Sequence, residues 1–377
     1  MSSFDHIFLS GLLFLSFYLI TKRGQDYVNN HFWRVAAIPI LFYSIVLGCS
    51  YGMGADYQGY KYAIDHPFYD KGADELGLVT LNKYIHLIGL NYVGGFIVYD
   101  FIFCLGAFTL IRSCPDNKYM MALMLPCTMF FITSPIRQAM AHSFVYLGLM
   151  SINRRQWTLA AASFYIGFLF HGSSLATVAI CIVCYFLLNR IFDAKKMVLV
   201  YCLVSISSFT VMNMLSMSLE VLAPYIPTFG LHYGNYLENP SHAFGEESID
   251  EENQRSFFAF VLRTVYYSGI LYLSGLALKY KFDKKIAWLV WVSIIGVFLT
   301  AIFANSLIPR RLAQPMDSLT FVSLGYGLYV YLNEKERFMR NEKKWAAYSF
   351  YGIIIYLVLF YGRYIFMNPE AKYFWSV

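Results

Sequence analysis

The chain is 377 residues long, 58% hydrophobic and 19% aromatic, with 14% charged residues and a formal net charge of +6. Soluble domains of this size carry about 25% charged residues, so an ordinary cytosolic enzyme is excluded, and 34 Phe with 32 Tyr exclude a solvated, disordered chain. A mean hydropathy of +0.50 requires apolar runs repeated along the chain, the pattern of an all-α polytopic membrane protein.

A spanning helix needs about 20 apolar residues to cross roughly 30 Å of hydrocarbon, and about twelve stretches qualify. In chain order they are predicted near Phe4–Thr21, Phe32–Ser50, Tyr92–Ile111, Tyr119–Thr133, Ile136–Ile152 and Trp157–Phe170. Six more follow near Ser173–Leu188, Met197–Leu219, Phe257–Leu278, Ile286–Phe303, Leu312–Leu332 and Ala346–Phe366. The pair around His171 has one long or broken helix as its alternative reading. Two longer polar segments interrupt the series, at about 51–91 and 224–256. Inside the first, the amphipathic stretch LGLVTLNKYIHLIGLN, Leu76–Asn91, predicts a helix lying in the outer interface. No tandem repeat or low-complexity segment divides the chain, so residues 1–377 read as a single integral membrane domain.

Lys and Arg set the orientation, because cytoplasmic loops hold them in excess. The first apolar run has no basic residue before it and no small-residue cleavage pattern after it, whereas Lys22 and Arg23 follow it. It reads as a retained helix with its N-terminus outside. Alternating from there, every connector on the inner side is basic: Arg34, Arg112 and Lys118, Arg154 and Arg155, Lys195 and Lys196, Lys284 and Lys285, Arg337 and Lys343 among them. The two long segments, rich in Asp and Glu, face outward, and an even helix count places both termini outside. The inner connectors are short and lack a Walker-type Gly-rich loop, which argues against ATP-driven transport. Basic residues scattered over the inner face leave no nucleic-acid footprint.

The seven cysteines lie within or at the edges of apolar runs, so they form no disulfide framework. Cys181 and Cys184 have C-x-x-C spacing without a second Cys/His pair, and read as buried small side chains. No D-x-D pattern and no Cys/His/carboxylate cluster with ligand spacing is present, so no metal is predicted.

Four outward-facing segments carry the residues suited to chemistry. The first outer loop holds Gly54-Ala55-Asp56-Tyr57-Gln58-Gly59-Tyr60, followed by Asp65, His66, Asp70, Asp74 and Glu75. A carboxylate flanked by Tyr rings suits a sugar through hydrogen bonds and stacking; an interfacial turn with an aromatic belt explains the same residues. Next comes Ser134-Pro135-Ile136-Arg137-Gln138, with His142 four residues beyond Gln138. An arginine at the outer end of a span either snorkels or faces a ligand, and it grips phosphate in a bidentate fork. The third is Phe170-His171-Gly172-Ser173, where His171 is either a satisfied core group or a proton acceptor for a hydroxyl. The fourth is Pro309-Arg310-Arg311, outward cations against the positive-inside trend that pair with acidic residues or hold an anion.

Gly54-x-Asp56-Tyr57-x-x-Tyr60, Glu75-x-Gly77 before an amphipathic helix, Ile136-Arg137-Gln138-x-x-Ala141 opening a helix and His171-x-Ser173 closing another occur in one order. Together, over about Gly52–Leu188, they resemble the EpsG/Wzy family of bacterial surface-polysaccharide polymerases, with Ala55 standing where Thr or Ser is frequent. The resemblance implies a GT-C-like enzyme at the periplasmic face of the inner membrane that polymerises O-antigen or similar repeat units. It transfers a chain from undecaprenyl diphosphate to the non-reducing end of the next lipid-linked unit, beside a chain-length regulator and a flippase. The resemblance implies neither a nucleotide sugar nor a metal cofactor. On this reading His171 is the base with Asp56 as competitor. Arg137, Arg310 and Arg311 face the diphosphate, Tyr57, Tyr60 and Gln138 orient sugars, and Glu75 belongs to the substrate site.

Three other functions are compatible with such a chain. A lipid-linked oligosaccharide flippase also has about twelve helices, although it tends to show two similar halves. A membrane acyltransferase needs a catalytic His reached by an acyl donor from the inner side. An O-antigen ligase is chemically close to the polymerase.

Overall fold

The computed structural model describes residues 11, 15–16, 18–51, 57–68, 75–133, 136–188, 190–222, 257–304, 307–367 and 372–373. Asp56, the predicted outer segment 224–256 and most of the first predicted span lie outside these residues. Helices dominate, numbered here in chain order as α1 (Gln25–Asn30), α2 (Phe32–Gly48), α3 (Tyr57–Asp65), α4 (Leu76–Leu87) and α5 (Tyr92–Ser113). Next come α6 (Lys118–Thr133), α7 (Ile136–Asn153), α8 (Trp157–Phe170), α9 (Ser174–Leu187) and α10 (Ala194–Leu222). The last five are α11 (Phe257–Tyr280), α12 (Lys284–Ile302), α13 (Leu307–Asp317), α14 (Thr320–Glu334) and α15 (Arg340–Met367). The strands described are two residues each, Ser50 facing Tyr373 and Tyr51 facing Lys372 in an antiparallel pair.

Among the described residues, α5, α11 and α12 are long and apolar enough to cross a membrane, and α2, α8 and α9 are shorter apolar helices. Most helices start and stop near their predicted limits because the apolar runs end at charge or at Gly. One place differs. The predicted Leu312–Leu332 helix is two helices, α13 and α14, because the chain tightens after Pro315: the Ser318 hydroxyl donates to Pro315 O at 2.6 Å and Leu319 N–H to Met316 O at 3.1 Å. Around His171 the chain forms the two predicted helices, not one long one, with His171 itself in extended backbone, φ −165° and ψ 120°.

Helix α5 lies between α2 and α7, and α7 pairs with α8. Lipid is as apolar as Leu, so close contact rather than water exclusion must hold such helices together. At Gly106 of α5 an added Cβ would stand 2.5 Å from Ser143 O of α7, so the two backbones touch where no other residue fits. A second group of helices packs α11 against α10, α14 and α15, and α12 against α10 and α13. The two groups are joined by buried polar bonds as well as packing. Trp288 of α12, fully buried, donates its indole N–H to Asn153 of α7 at 3.0 Å, which removes the cost of an unsatisfied donor in an apolar interior.

A smaller apolar cluster sits apart from the main core and carries α3 and α4. Tyr57, Tyr60 and Ile64 of α3 and Leu78 and Ile85 of α4 bury against Phe96 of α5, Met140 of α7 and Phe170 of α8. Tyr57–Tyr60 of that segment stand in a nine-residue helix, Tyr57–Asp65, whereas Gly54, Ala55 and Asp56 lie outside the described residues. The predicted amphipathic helix is present as α4, with Leu76, Tyr84, Leu87 and Ile88 exposed and Leu78, Asn82 and Ile85 buried.

Candidate functional site

The site is assembled where α4 rides over the junction of α8 and α9. Gly77, in the first turn of α4, makes this possible: a Cβ there would lie 2.7 Å from the Phe170 ring and 3.0 Å from Leu169 O. That approach brings Glu75, the residue preceding α4, onto His171, the residue following α8. Glu75 makes no capping bond to its own helix. Its carboxylate is turned instead toward two partners, with Oε1 2.5 Å from His171 Nδ1 and Oε2 3.1 Å from Arg137 Nη1.

Arg137 is the second residue of α7. Its Nε donates to the Tyr60 hydroxyl at 3.3 Å and its guanidinium lies 5.8 Å from the Tyr60 ring centre. Three segments distant in sequence thus meet on one carboxylate. The Glu75 side chain is 16% exposed, His171 24% and Arg137 43%, so the cluster is sheltered but reachable, and the cation is its most accessible member.

The protonation pattern follows from the partners. An ionised Glu75 is an acceptor only, so the imidazole nitrogen facing it must carry the proton. In the neutral imidazole, Nδ1–H then points at Glu75 and the lone pair is on Nε2. A carboxylate that fixes one ring nitrogen leaves the other as a proton acceptor.

Gln138, the neighbour of Arg137, is 3% exposed and ties this cluster to the second half of the chain. Its amide donates to Ser173 Oγ at 3.2 Å and to the Arg311 carbonyl at 2.8 Å. The second bond has a local cause. Within α13 the partner of the Arg311 carbonyl is residue 315, which is proline and has no N–H to give. The orphaned carbonyl is met by Gln138. One turn on, His142 is fully buried and bonds the Gln138 carbonyl at 2.7 Å and Thr177 at 3.1 Å, so it is held inside the helix packing.

The predicted site residues therefore divide. Glu75, Arg137, His171 and Tyr60 converge on one point. Gln138 abuts it and is bonded to the Arg311 backbone. Tyr57 is buried with one ring face stacked on Phe96, centroids 4.9 Å apart. Arg310 is directed to a different neighbourhood, where Arg263, Tyr267, Asp317 and Tyr356 are its electrostatic neighbours. Asp56 lies outside the described residues. Sequence reasoning passed over Ser173 as a Gln138 partner and Arg263 altogether. The signal for Arg263 was available, since it is the only charged residue in the apolar run Phe257–Leu278, and intramembrane charges mark sites.

Among the described residues no group of three or more His, Cys, Asp or Glu is placed to hold a metal ion. All seven cysteines are unpaired, with Cys181 and Cys184 buried. The arrangement around Glu75 is a single carboxylate shared between an imidazole and a half-exposed guanidinium.

A family model described as the EpsG family matches residues 33–375 of the chain. No curated protein matches the chain, and no solved structure does.

Proposed function

The chain belongs to the EpsG family, which includes Wzy-type polymerases, and on that premise we propose that it is an O-antigen or similar surface-polysaccharide polymerase. It transfers the growing chain from undecaprenyl diphosphate to the non-reducing end of the next lipid-linked repeat unit. The reaction takes place at the periplasmic face of the bacterial inner membrane, in a single GT-C-like domain of about twelve spans with both termini outside. A flippase delivers the lipid-linked units and a chain-length regulator acts alongside.

The observation that carries this reading is the convergence of Glu75, Arg137 and His171 at one sheltered point. Glycosyl transfer from a diphosphate needs a base for the incoming hydroxyl and positive charge for the departing oxygen. With Nδ1 held by Glu75, His171 Nε2 accepts the proton of the acceptor hydroxyl. The freed oxygen bonds to the anomeric carbon of the donor. The bond from that carbon to the diphosphate oxygen breaks, and its electron pair stays on the lipid diphosphate. Arg137 orients Glu75 through one nitrogen and presents its remaining donors to the substrate, with Arg310 and Arg311 contributing further positive charge. Tyr60, Tyr57 and Gln138 line the approach of the sugars.

A deletion strain tests the reading, because each related activity leaves a different lipopolysaccharide. Loss of a polymerase leaves core carrying a single repeat unit, whereas loss of a ligase or of a flippase leaves bare core. The expected result is core plus one unit, restored to a ladder by the intact gene. An unchanged ladder or bare core would contradict it.

A further inference from the structure

Helices α2 and α5 pack against each other in antiparallel fashion. Near one end a Cβ on Gly48 would stand 2.6 Å from Ile97 Cα, and near the other the Arg112 guanidinium lies 5.5 Å from the Trp33 ring centre. That register sets Arg34, in the first turn of α2, and Arg112, in the last turn of α5, at the same end of the pair.

Each helix also keeps an apolar face exposed among the described residues. In α2, Arg34, Ile38, Leu41 and Ile45 are exposed at i, i+4, i+7 and i+11, a single stripe. In α5, Phe101, Leu105 and Arg112 make a matching stripe at i, i+4 and i+11. Ser44 meets Cys104 between the helices, as Gly48 meets Ile97. In both helices the exposed stripe lies about a quarter-turn on from these partner-facing residues. The turn has the same sense in each, so in an antiparallel pair both stripes come to one side. They form one apolar surface with an arginine at the foot of each stripe.

The charge at that foot is not balanced by the protein. Segments 22–34 and 112–118 hold five cations, Lys22, Arg23, Arg34, Arg112 and Lys118, against Asp26 and Asp116. Asp116 is already taken, its Oδ2 2.6 Å from Lys281 Nζ. Neither Arg34 nor Arg112 has an ion-pair partner among the described residues. A guanidinium pair grips phosphate through parallel donors, and Trp33 beside it is a residue of the membrane boundary. A second copy of the chain is the poorer occupant. Docked about an axis normal to the membrane, it would set its own two arginines against these two.

We infer that the exposed α2–α5 face is a binding site for an anionic phospholipid of the inner leaflet. Its phosphate is held by Arg34 and Arg112, and its acyl chains lie along Ile38, Leu41, Ile45, Phe101 and Leu105. The inner side is the one that the charge bias of the connectors assigns to the cytoplasm. Basic sites between helices at that level suit anionic headgroups. The site is separate from the Glu75 cluster and does not depend on the reaction proposed for it.

The test is native mass spectrometry of the delipidated full-length protein, titrated with dioleoylphosphatidylglycerol and with dioleoylphosphatidylcholine, which share their acyl chains. The intact protein is expected to bind the anionic lipid about 20-fold more tightly. Arg34→Gln and Arg112→Gln should each weaken it about 5-fold, the worth of one basic residue at an anionic headgroup, and leave phosphatidylcholine unchanged. The double variant should bring the two lipids level. Lys344→Gln is the control. Lys344 is a lone inner-face cation with no second helix beside it supplying an arginine, lying 5.8 Å from the Tyr348 ring centre, and its loss should change neither lipid. The variants are compared at matched Tm and monodispersity, and either arginine variant suffices should the other fail to fold. Equal affinity of the intact protein for both lipids, or unchanged phosphatidylglycerol binding in both arginine variants, overturns the inference. So does an equal loss in Lys344→Gln, which would show diffuse charge attraction, or a parental dimer that takes up no lipid, which would give the face to a second copy.

Discussion

Glu75 Oε1 and His171 Nδ1 meet at 2.5 Å although 96 residues separate them, and the other oxygen of the same carboxylate is held 3.1 Å from Arg137. The carboxylate is thus the junction of a base and a cation. Glu75→Gln keeps the size of the side chain but removes the charge that selects the Nδ1–H tautomer. Polymer formation in a complemented deletion strain should fall about 100-fold with Glu75→Gln and with His171→Ala, the scale of a lost general base. The double variant should be no worse than His171→Ala alone, because the two residues act as a unit. A multiplicative loss would show that they act independently.

Gly77 sets that junction from outside it. Gly77→Ala places a methyl 2.7 Å from the Phe170 ring and 3.0 Å from a backbone oxygen, and the helix carrying Glu75 must move away from His171. Misplacement by about 1 Å costs up to 100-fold in rate, so polymer yield should drop at least about 10-fold with protein level in the membrane unchanged. Gly59→Ala is the control, since nothing lies within 4 Å of its added Cβ, and it should behave as the parent does.

Pro315 and Gln138 form a matched pair across the chain. Pro315 deprives the Arg311 carbonyl of its helical donor, and Gln138 supplies one at 2.8 Å. Gln138→Leu should leave that carbonyl unsatisfied and lower Tm by several degrees, for a loss of about 1–3 kcal/mol. Pro315→Ala in the same background restores an N–H within α13 and should recover part of the Tm. No recovery would mean that the carbonyl is not what the glutamine serves.

Glu342, at the start of α15, tests stability away from the Glu75 cluster, where it bonds the end of α11. Burial alone pushes its carboxyl up, but Lys279 Nζ at 2.7 Å, the Tyr280 hydroxyl at 2.5 Å and the Met339 N–H at 3.1 Å hold it below its ordinary value of 4.5. A carboxyl depressed in the folded state stabilises above the unfolded value and loses that contribution as pH falls through the folded one. The Tm difference between the parent and Glu342→Gln should therefore be largest near neutrality and shrink once pH falls below 4.5. A difference independent of pH would rule out the ionised form as the stabilising one.

Helix positions were legible because apolar runs are long and their ends are marked by charge; Trp157–Phe170 begins and ends where the sequence places it. The Leu312–Leu332 run was misread as one helix because hydropathy is blind to a missing N–H at Pro315 and to the Ser318 back-bond. At the site, Arg137 and His171 were legible as polar residues at the ends of apolar helices. Their meeting on Glu75 was not, since it depends on the α4–α8 approach that Gly77 permits and no local pattern reports. Arg263 was lost for the opposite reason, a single charge averaged away inside an apolar run.

The central claim is that the His171 base held by Glu75 drives polymerisation of lipid-linked repeat units. Its most direct test is reconstitution of the purified full-length protein in vesicles with its lipid-linked repeat unit, following polymer length by gel and lipid diphosphate release by mass spectrometry. The account predicts a ladder with one lipid diphosphate released per bond formed, and loss of both products in His171→Ala and Glu75→Gln. Polymer formed by His171→Ala at the parental rate, or none formed by the intact protein, would contradict it.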